Sequence, residues 1–444
     1  SGCRHNYECL GRESRVNRPV IGFAGLTHLG LNSAIASAAK GFTVVGYHND
    51  TQLVALLNSG KPQVLEPQLS ELMKKHQENL SFNADVNCLA SCDIVYIAVD
   101  VPTDDNGRSN LKPIEEMIDR AATVMRKEAS LVILCQVSPG FTRTLKWPAD
   151  QLFYQVETLI FGRAIKRALY PERFIVGCED PHQPLRPELL KYLESFDCPI
   201  LPMRYESAEL AKISINMCLV ASVSTANTLA EICEEIGADW SEIVPALRLD
   251  KRIGPHSYLK PGLGISGGNL ERDLATVLSY AEKHETDGDV VASWVANSKY
   301  RKDWVWRVLN SLVLSNQPNP KIAVLGLTYK ENTHSIKNSP SIALLEKLKD
   351  HDISAFDPAA ADNAAPSYVT RKSNSMEALD QSDVLLVMTP WSEFEAISTI
   401  DLDRVMTGRT IIDPYGILNG SELVDKGFTY ATLGKPVQHP ERTN

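Results

Sequence analysis

The sequence predicts an α/β protein in which two doubly wound, Rossmann-like parallel-sheet domains are joined by a long central helix. Three observations lead there. A β-α-β pattern opens at Pro19, a second opens at Lys321, and between them Glu206–Ile236 runs about thirty residues without a glycine or proline. Pro19–Ala24 is a short apolar run meeting a glycine turn, Leu29–Lys40 is rich in Ala, Ser and Leu as a helix requires, and Phe42–Tyr47 returns as a buried strand. Further strands are expected at Asp93–Val99, Ser130–Cys135 and Phe174–Gly177. The central stretch would form a helix of about 45 Å, stopped by Gly237. That length exceeds what one domain surface needs, so it is expected to bridge domains and supply a dimer interface. In the second pattern, strands are expected at Lys321–Gly326, Ile353–Asp357, Val384–Met388 and Thr410–Asp413, with Ser339 capping a helix whose first residue is Pro340. The expected organisation is a tail at 1–18, a dinucleotide-binding domain at 19–202, a central helical segment at 203–315 and a C-terminal domain at 316–444.

Composition narrows the function. The 444 residues exceed one ordinary core. A net charge of -10 without basic clusters argues against nucleic acid as a partner. No uninterrupted apolar run reaches the roughly 18 residues of a membrane span, so no membrane role is expected. Nine cysteines, odd in number and scattered through apolar surroundings, read as free thiols in a reducing cytoplasm. Cys88 and Cys92 have a metal-like spacing, but neither a second pair nor a nearby histidine completes a ligand set, so no metal is expected. The polar opening lacks the apolar core of a secretory leader and is read as lying outside the fold.

The first glycine turn, Gly25-Leu-Thr27-His28-Leu29-Gly30, has the frame of a dinucleotide-binding turn with Thr27 where the middle glycine belongs. Its side chain could crowd a phosphate, or its hydroxyl could donate to one. At the end of the second strand, where an acidic residue usually meets the adenosine ribose, stands His48. NAD is the expected cofactor, and the missing carboxylate keeps NADP open beside it. On the central stretch Lys212 and Asn216 are four apart and share a face, with Glu209 close by. A lysine and an amide pointing together can hold a substrate oxygen and stabilise the charge that develops on it.

The order of these landmarks resembles the UDP-glucose/GDP-mannose dehydrogenases from about residue 19 to the end. The turn is followed by Val101-Pro-Thr103 with Asp105-Asn-Gly107, Val137-Ser-Pro-Gly140, and Pro171-Glu172-Arg173. Then come Ala208-Glu-Leu-Ala-Lys212 with Asn216, Asp250-Lys-Arg252-Ile-Gly254, and Pro261-Gly-Leu-Gly264 leading to Asn269 and Asp273. Gly326-Leu-Thr-Tyr-Lys330 and Lys337-Asn-Ser-Pro340 close the series. The resemblance implies that Lys212, Asn216 and Asp273 surround the reacting carbon and that Glu172 assists proton transfer. It places Thr103, Gln136 and Lys337 toward the cofactor, Lys337 standing for an arginine at the pyrophosphate. It gives Arg252 to the sugar of the neighbouring subunit of a homodimer, Tyr258, Leu259, Lys260 and Gly264 to a nucleotide diphosphate, and Lys330 to the substrate. The Pro-Glu-Arg form looks more like members acting on N-acetylated UDP-hexoses.

The departure is Asn269, which stands where the family carries a nucleophilic cysteine. The family's second oxidation passes through a thiohemiacetal and a thioester, which a carboxamide cannot form. The expected activity is therefore one two-electron oxidation of a nucleotide-linked sugar by NAD(P). Two alternatives stand beside it: a sugar-nucleotide-binding protein without redox chemistry, and an epimerase-like enzyme that reduces and reoxidises bound NAD.

Overall fold

A computed structural model of the chain describes residues 18–64, 66–101 and 109–441; positions 1–17 of the expected tail, Thr103 and the Asp105–Gly107 motif lie outside them. The chain divides within the long helix into two compact units, Ser1–Ser214 and Ile215–Asn444.

The first unit is built on eight strands, numbered here in chain order: β1 Ile21–Ala24, β2 Val44–Tyr47, β3 Leu80–Asn83, β4 Ile94–Ile97, β5 Ser130–Ile133, β6 Leu152–Gln155, β7 Phe174–Cys178 and β8 Ile200–Arg204. Their order in the sheet is β3-β2-β1-β4-β5-β6-β7-β8. All neighbouring pairs are parallel except β6 with β7. Every residue of β1, β2, β4 and β5 is buried, as a sheet covered by helices on both faces demands. The chain reverses direction across the sheet between β1 and β4, which is where open α/β sheets place their ligands.

The second unit repeats that plan with β9 Lys321–Leu325, β10 Asp352–Phe356, β11 Thr370–Arg371, β12 Val384–Val387, β13 Thr410–Ile412 and β14 Thr429–Ala431. The order is β11-β10-β9-β12-β13-β14, all parallel. Ser339 caps the helix Pro340–Lys347 by accepting from the Ser341 N–H, as its sequence indicates.

The long helix spans Tyr205–Ile236 and ends at Gly237, whose φ of +81° permits the left-handed turn. Small polar residues interrupt its apolar runs, yet an 18-residue window of it reaches the mean hydropathy of a membrane span, with 33% of that window buried. Its length and composition suit a helix whose apolar surface meets other protein as well as they suit a membrane.

Candidate functional site

At the C-terminal edge of β1, Gly25 has φ +107°, and a Cβ there would approach the Ala98 carbonyl oxygen to 2.5 Å. A Cβ on Gly30 would come within 1.8 Å of the Gly25 carbonyl oxygen, so both glycines are fixed by the tight strand-turn-helix packing. Thr27 has φ -82°, a conformation any residue adopts, and precedes the helix His28–Ala39 without capping it through its side chain. Its Oγ1 is buried and meets no hydrogen-bond partner among the described residues. A helix N-terminus without a side-chain cap, beside a buried hydroxyl with a proton to donate, fits the pyrophosphate of a dinucleotide. Leu29 faces the core. His48 follows β2, and its Nδ1 accepts from the Asp50 N–H at 3.1 Å, which leaves Nε2 as the donor toward a ribose. Burial pulls its pKa below the ordinary histidine value, against the opposing pull of Asp50 and Asp100. Gln136 lies past the end of β5, partly exposed.

The corresponding turn of the second unit differs. Gly326, after β9, has φ +101° and is packed against Thr389. Asp357, at the end of β10 where a ribose carboxylate would stand, is consumed by its own fold. Its Oδ2 accepts from the N–H groups of Leu327 at 2.6 Å and Thr328 at 3.0 Å, and its Oδ1 from those of Ala359 and Ala360. Of the two sheets, the first has the turn suited to a dinucleotide.

Lys212 Nζ lies 3.0 Å from Glu157 Oε1, both side chains being largely buried. Glu157 is the residue the sequence reading missed. It lies just after β6, 55 positions before its partner, and a contact of that kind has no local signature. The sequence had offered Glu172, and the structure corrects this: Glu172 is exposed and paired with Arg167 and Arg173 on the surface. The Pro-Glu-Arg motif therefore belongs to the entry of β7, and its form says nothing about an N-acetyl group. Glu209 packs inside the first unit. It is fully buried and accepts from the Thr142 N–H at 2.8 Å and the Gly140 N–H at 2.5 Å, holding the loop after β5 in place.

One turn beyond Lys212 on the long helix, Asn216 donates through Nδ2 to Asp273 Oδ2 at 2.5 Å. Asp273 is fully buried and also meets Arg272 Nε at 3.4 Å. Asp273 and Arg272 owe their placement to the helix Asn269–Lys283, which starts after two glycines with φ +90° and +97°. Asn269 is its first residue and is exposed. The Lys337 side chain crosses Gly268, and the Gly267 N–H donates to the Lys337 carbonyl; within this unit Lys337 accordingly lies against the glycine loop that precedes Asn269. Gly264 is held by the fold, since a Cβ would meet the Ser298 carbonyl oxygen at 2.4 Å, whereas Gly262 faces open space.

Leu259 and Lys260 line a cavity of about 690 Å³ in the second unit, together with Arg248, Tyr415, Asn419 and Lys435. Trp240 fixes this loop by donating through its indole N–H to the Leu259 carbonyl at 2.8 Å. Tyr258 is exposed, Arg252 is exposed and paired with Asp250, and Lys330 stands on the turn after β9. Among the described residues no group of three His, Cys, Asp or Glu is arranged to hold a metal.

A dinucleotide turn on one sheet, a lysine–carboxylate pair, and a cation-lined cavity beside a second sheet define an NAD-linked dehydrogenase of a two-Rossmann type. The chain belongs to the UDP-glucose/GDP-mannose dehydrogenase family, whose NAD-binding domain matches residues 20–193, central domain 206–299 and UDP-binding domain 323–420. It is an NAD-dependent nucleotide-sugar dehydrogenase, an oxidoreductase acting on a CH–OH group. The UDP-glucose 6-dehydrogenase of Rickettsia typhi is 27% identical over 433 residues, covering 94% of this chain and 100% of the relative. That of Rhizobium meliloti is 27% identical over 435 residues, covering 94% and 99%. Among solved structures, a UDP-glucose dehydrogenase from Pyrobaculum islandicum shares the fold with a TM-score of 0.79 at 24% identity, covering 89% of this chain and 94% of that one. A UDP-D-ManNAc dehydrogenase from Pyrococcus horikoshii does so with a TM-score of 0.80 at 22% identity, covering 94% and 99%.

Proposed function

We propose that this enzyme removes one hydride from a nucleotide-linked hexose and stops at the carbonyl. The observation that carries this is Asn269, a carboxamide at the start of the loop helix. Two cysteines among the described residues are poorly suited to substitute for it. Cys135 is buried, bonded to the Val99 N–H and the Ile97 carbonyl, and its pKa is pushed up to about 12 by burial. Cys218 lies only two positions from Asn216, and residues two apart on a helix point to different faces.

NAD on the Gly25–Gly30 turn, with His48 toward its ribose and Gln136 at its reacting end, supplies the hydride acceptor. NADP is a second candidate because His48 carries no negative charge. Lys212 and Asn216, one turn apart, hold the substrate alcohol. Glu157, paired with Lys212, takes its proton as the carbonyl forms, which is general-base work for a carboxylate in a partly buried site. Asp273 orients the Asn216 amide. The alcohol thus loses a hydride and a proton, and no covalent intermediate is needed.

The cavity beside Lys260 takes the nucleotide diphosphate, since Arg248, Lys260 and Lys435 supply cations and Tyr415 a stacking face, in a volume within the ordinary range for ligand pockets. Tyr258, Gly264 and Lys330 flank that substrate path. A second copy of the chain covers the long helix and brings its Arg252 to the sugar. The free cysteines among the described residues suit a cytoplasmic setting.

The test is stoichiometry. A limiting UDP-hexose that is driven to completion should yield one NADH per sugar and no uronic acid. Two NADH per sugar overturn the role given to Asn269.

A further inference from the structure

The Glu66 side chain is fully buried, although it carries a charge that is costly to desolvate without partners. It has three. His28 Nε2 lies 2.8 Å from Oε1, the Gly162 N–H donates to the same oxygen at 2.8 Å, and the Ala164 N–H donates to Oε2 at 3.2 Å. An ionised carboxylate only accepts, so the imidazole proton sits on Nε2. The His28 ring also packs on Phe161, with centroids 4.1 Å apart.

These contacts join two functional segments. His28 is the first residue of the helix that receives the dinucleotide. Gly162 and Ala164 end the stretch that begins with Glu157, whose Oε2 accepts from the Leu159 N–H at 2.9 Å and whose Oε1 meets Lys212. In the same stretch Arg167 Nε donates to the Thr158 carbonyl at 2.6 Å, so its near end is tied as well. A pyrophosphate on the helix N-terminus lies within one residue of His28.

We propose that His28 is a positioning residue that, through Glu66, couples dinucleotide binding to the order of the Glu157–Ala164 segment. Cofactor binding fixes His28, His28 fixes Glu66, and Glu66 fixes the two amides that close the segment carrying the proposed base. The coupling is reciprocal, so loosening the segment weakens cofactor binding by the same factor. It rests on the reading of Gly25–Gly30 as the dinucleotide turn.

The experiment compares wild type, His28→Phe and His28→Gln by calorimetric NAD titration and by hydrogen exchange of the Gly162–Ala164 peptide with and without NAD. Phenylalanine keeps the stacking on Phe161 and loses the donor, whereas glutamine keeps an N–H at a similar reach. Wild type and H28Q should gain protection at this peptide on binding NAD. H28F should show none and bind NAD about tenfold more weakly. His28→Ala repeats the test if H28F does not fold. Equal protection and affinity in H28F or H28A overturn the coupling alone. A wild type that binds no dinucleotide overturns the turn assignment together with it, and unchanged exchange in a wild type that does bind NAD overturns the coupling.

Discussion

Lys212 Nζ and Glu157 Oε1 stand 3.0 Å apart, and among the described residues this lysine forms an ion pair with no other carboxylate. Removing the charge while keeping the shape tests what the pair does. Glu157→Gln is expected to lower kcat by about 10²- to 10³-fold with little change in the KM for NAD. Glu172→Gln, on the surface, should stay within about twofold. Initial-rate NADH absorbance in both variants decides between the two glutamates, and equal losses would return the role to Glu172.

Asn269 begins a helix, where the aligned N–H groups favour an anion. A thiol introduced there should have its pKa lowered and react as the thiolate. Asn269→Cys is expected to be alkylated by iodoacetamide at pH 7 about tenfold faster than Cys218, read by peptide mass spectrometry. If the new thiol reacts no faster, the helix start does not activate it.

Much of this architecture is legible in the sequence because a strand buried on both faces reads as a continuous apolar run. β1, β4, β9 and β12 do so, and the glycine turns that follow β1 and β9 mark where the chain bends. β3 and β8 are less legible. They lie at the sheet edges, their residues are mostly half-buried or exposed, and β8 contains Pro202, which an edge strand tolerates. In the site, spacing along one helix reveals Lys212 and Asn216. The partners Glu157, Glu66 and Asp273 are set by tertiary contacts, and for Glu157 the misleading signal was a nearby Pro-Glu-Arg sequence whose glutamate is on the surface.

His48 is the residue proposed for the cofactor's ribose corner. Its pKa is lowered by burial, so the ring is neutral at pH 7 and offers Nε2 as a donor. A carboxylate at that position would repel a 2′-phosphate. His48→Asp is expected to raise the NAD-to-NADP ratio of kcat/KM by about tenfold, near 1.4 kcal/mol. In wild type, lowering the pH through the histidine range should shift the ratio toward NADP, because the imidazolium attracts the extra phosphate. A ratio that does not move with pH would remove His48 from cofactor choice.

Asp357 is tied into the second unit by four backbone N–H groups. Burial pushes its carboxyl up, but the N–H groups of Leu327, Thr328, Ala359 and Ala360 outweigh this, and the pKa lies below the ordinary value. A depressed folded pKa contributes stability above the unfolded value of about 3.9, and the contribution is lost as pH falls through the folded one. Asp357→Asn should cost about 2–3 kcal/mol at pH 7, because an amide faces N–H groups that need acceptors. The gap from wild type should narrow as the pH falls below about 4. Urea unfolding at pH 7 and at pH 3.5 measures both, and a gap independent of pH would show that the charge is not what matters.

Leu229, Ile232 and Ile236 are three and four positions apart on the long helix, hence on one face, and are 41%, 48% and 70% exposed. An exposed apolar face of this kind is suited to contact with another protein. The proposed occupant is a second copy, because a helix of 32 residues, about 48 Å long, gives two identical faces enough length to pair about a twofold axis. Ile232→Asp places a charge in the middle of that face, and its desolvation opposes association while leaving the solvent-facing monomer nearly unaffected. Light scattering should find a dimer for wild type and a monomer for I232D at micromolar concentration, with the thermal midpoint of the monomer little changed from that of wild type at high dilution. An I232D dimer as tight as wild type would mean that the interface lies elsewhere and that this face meets a different partner.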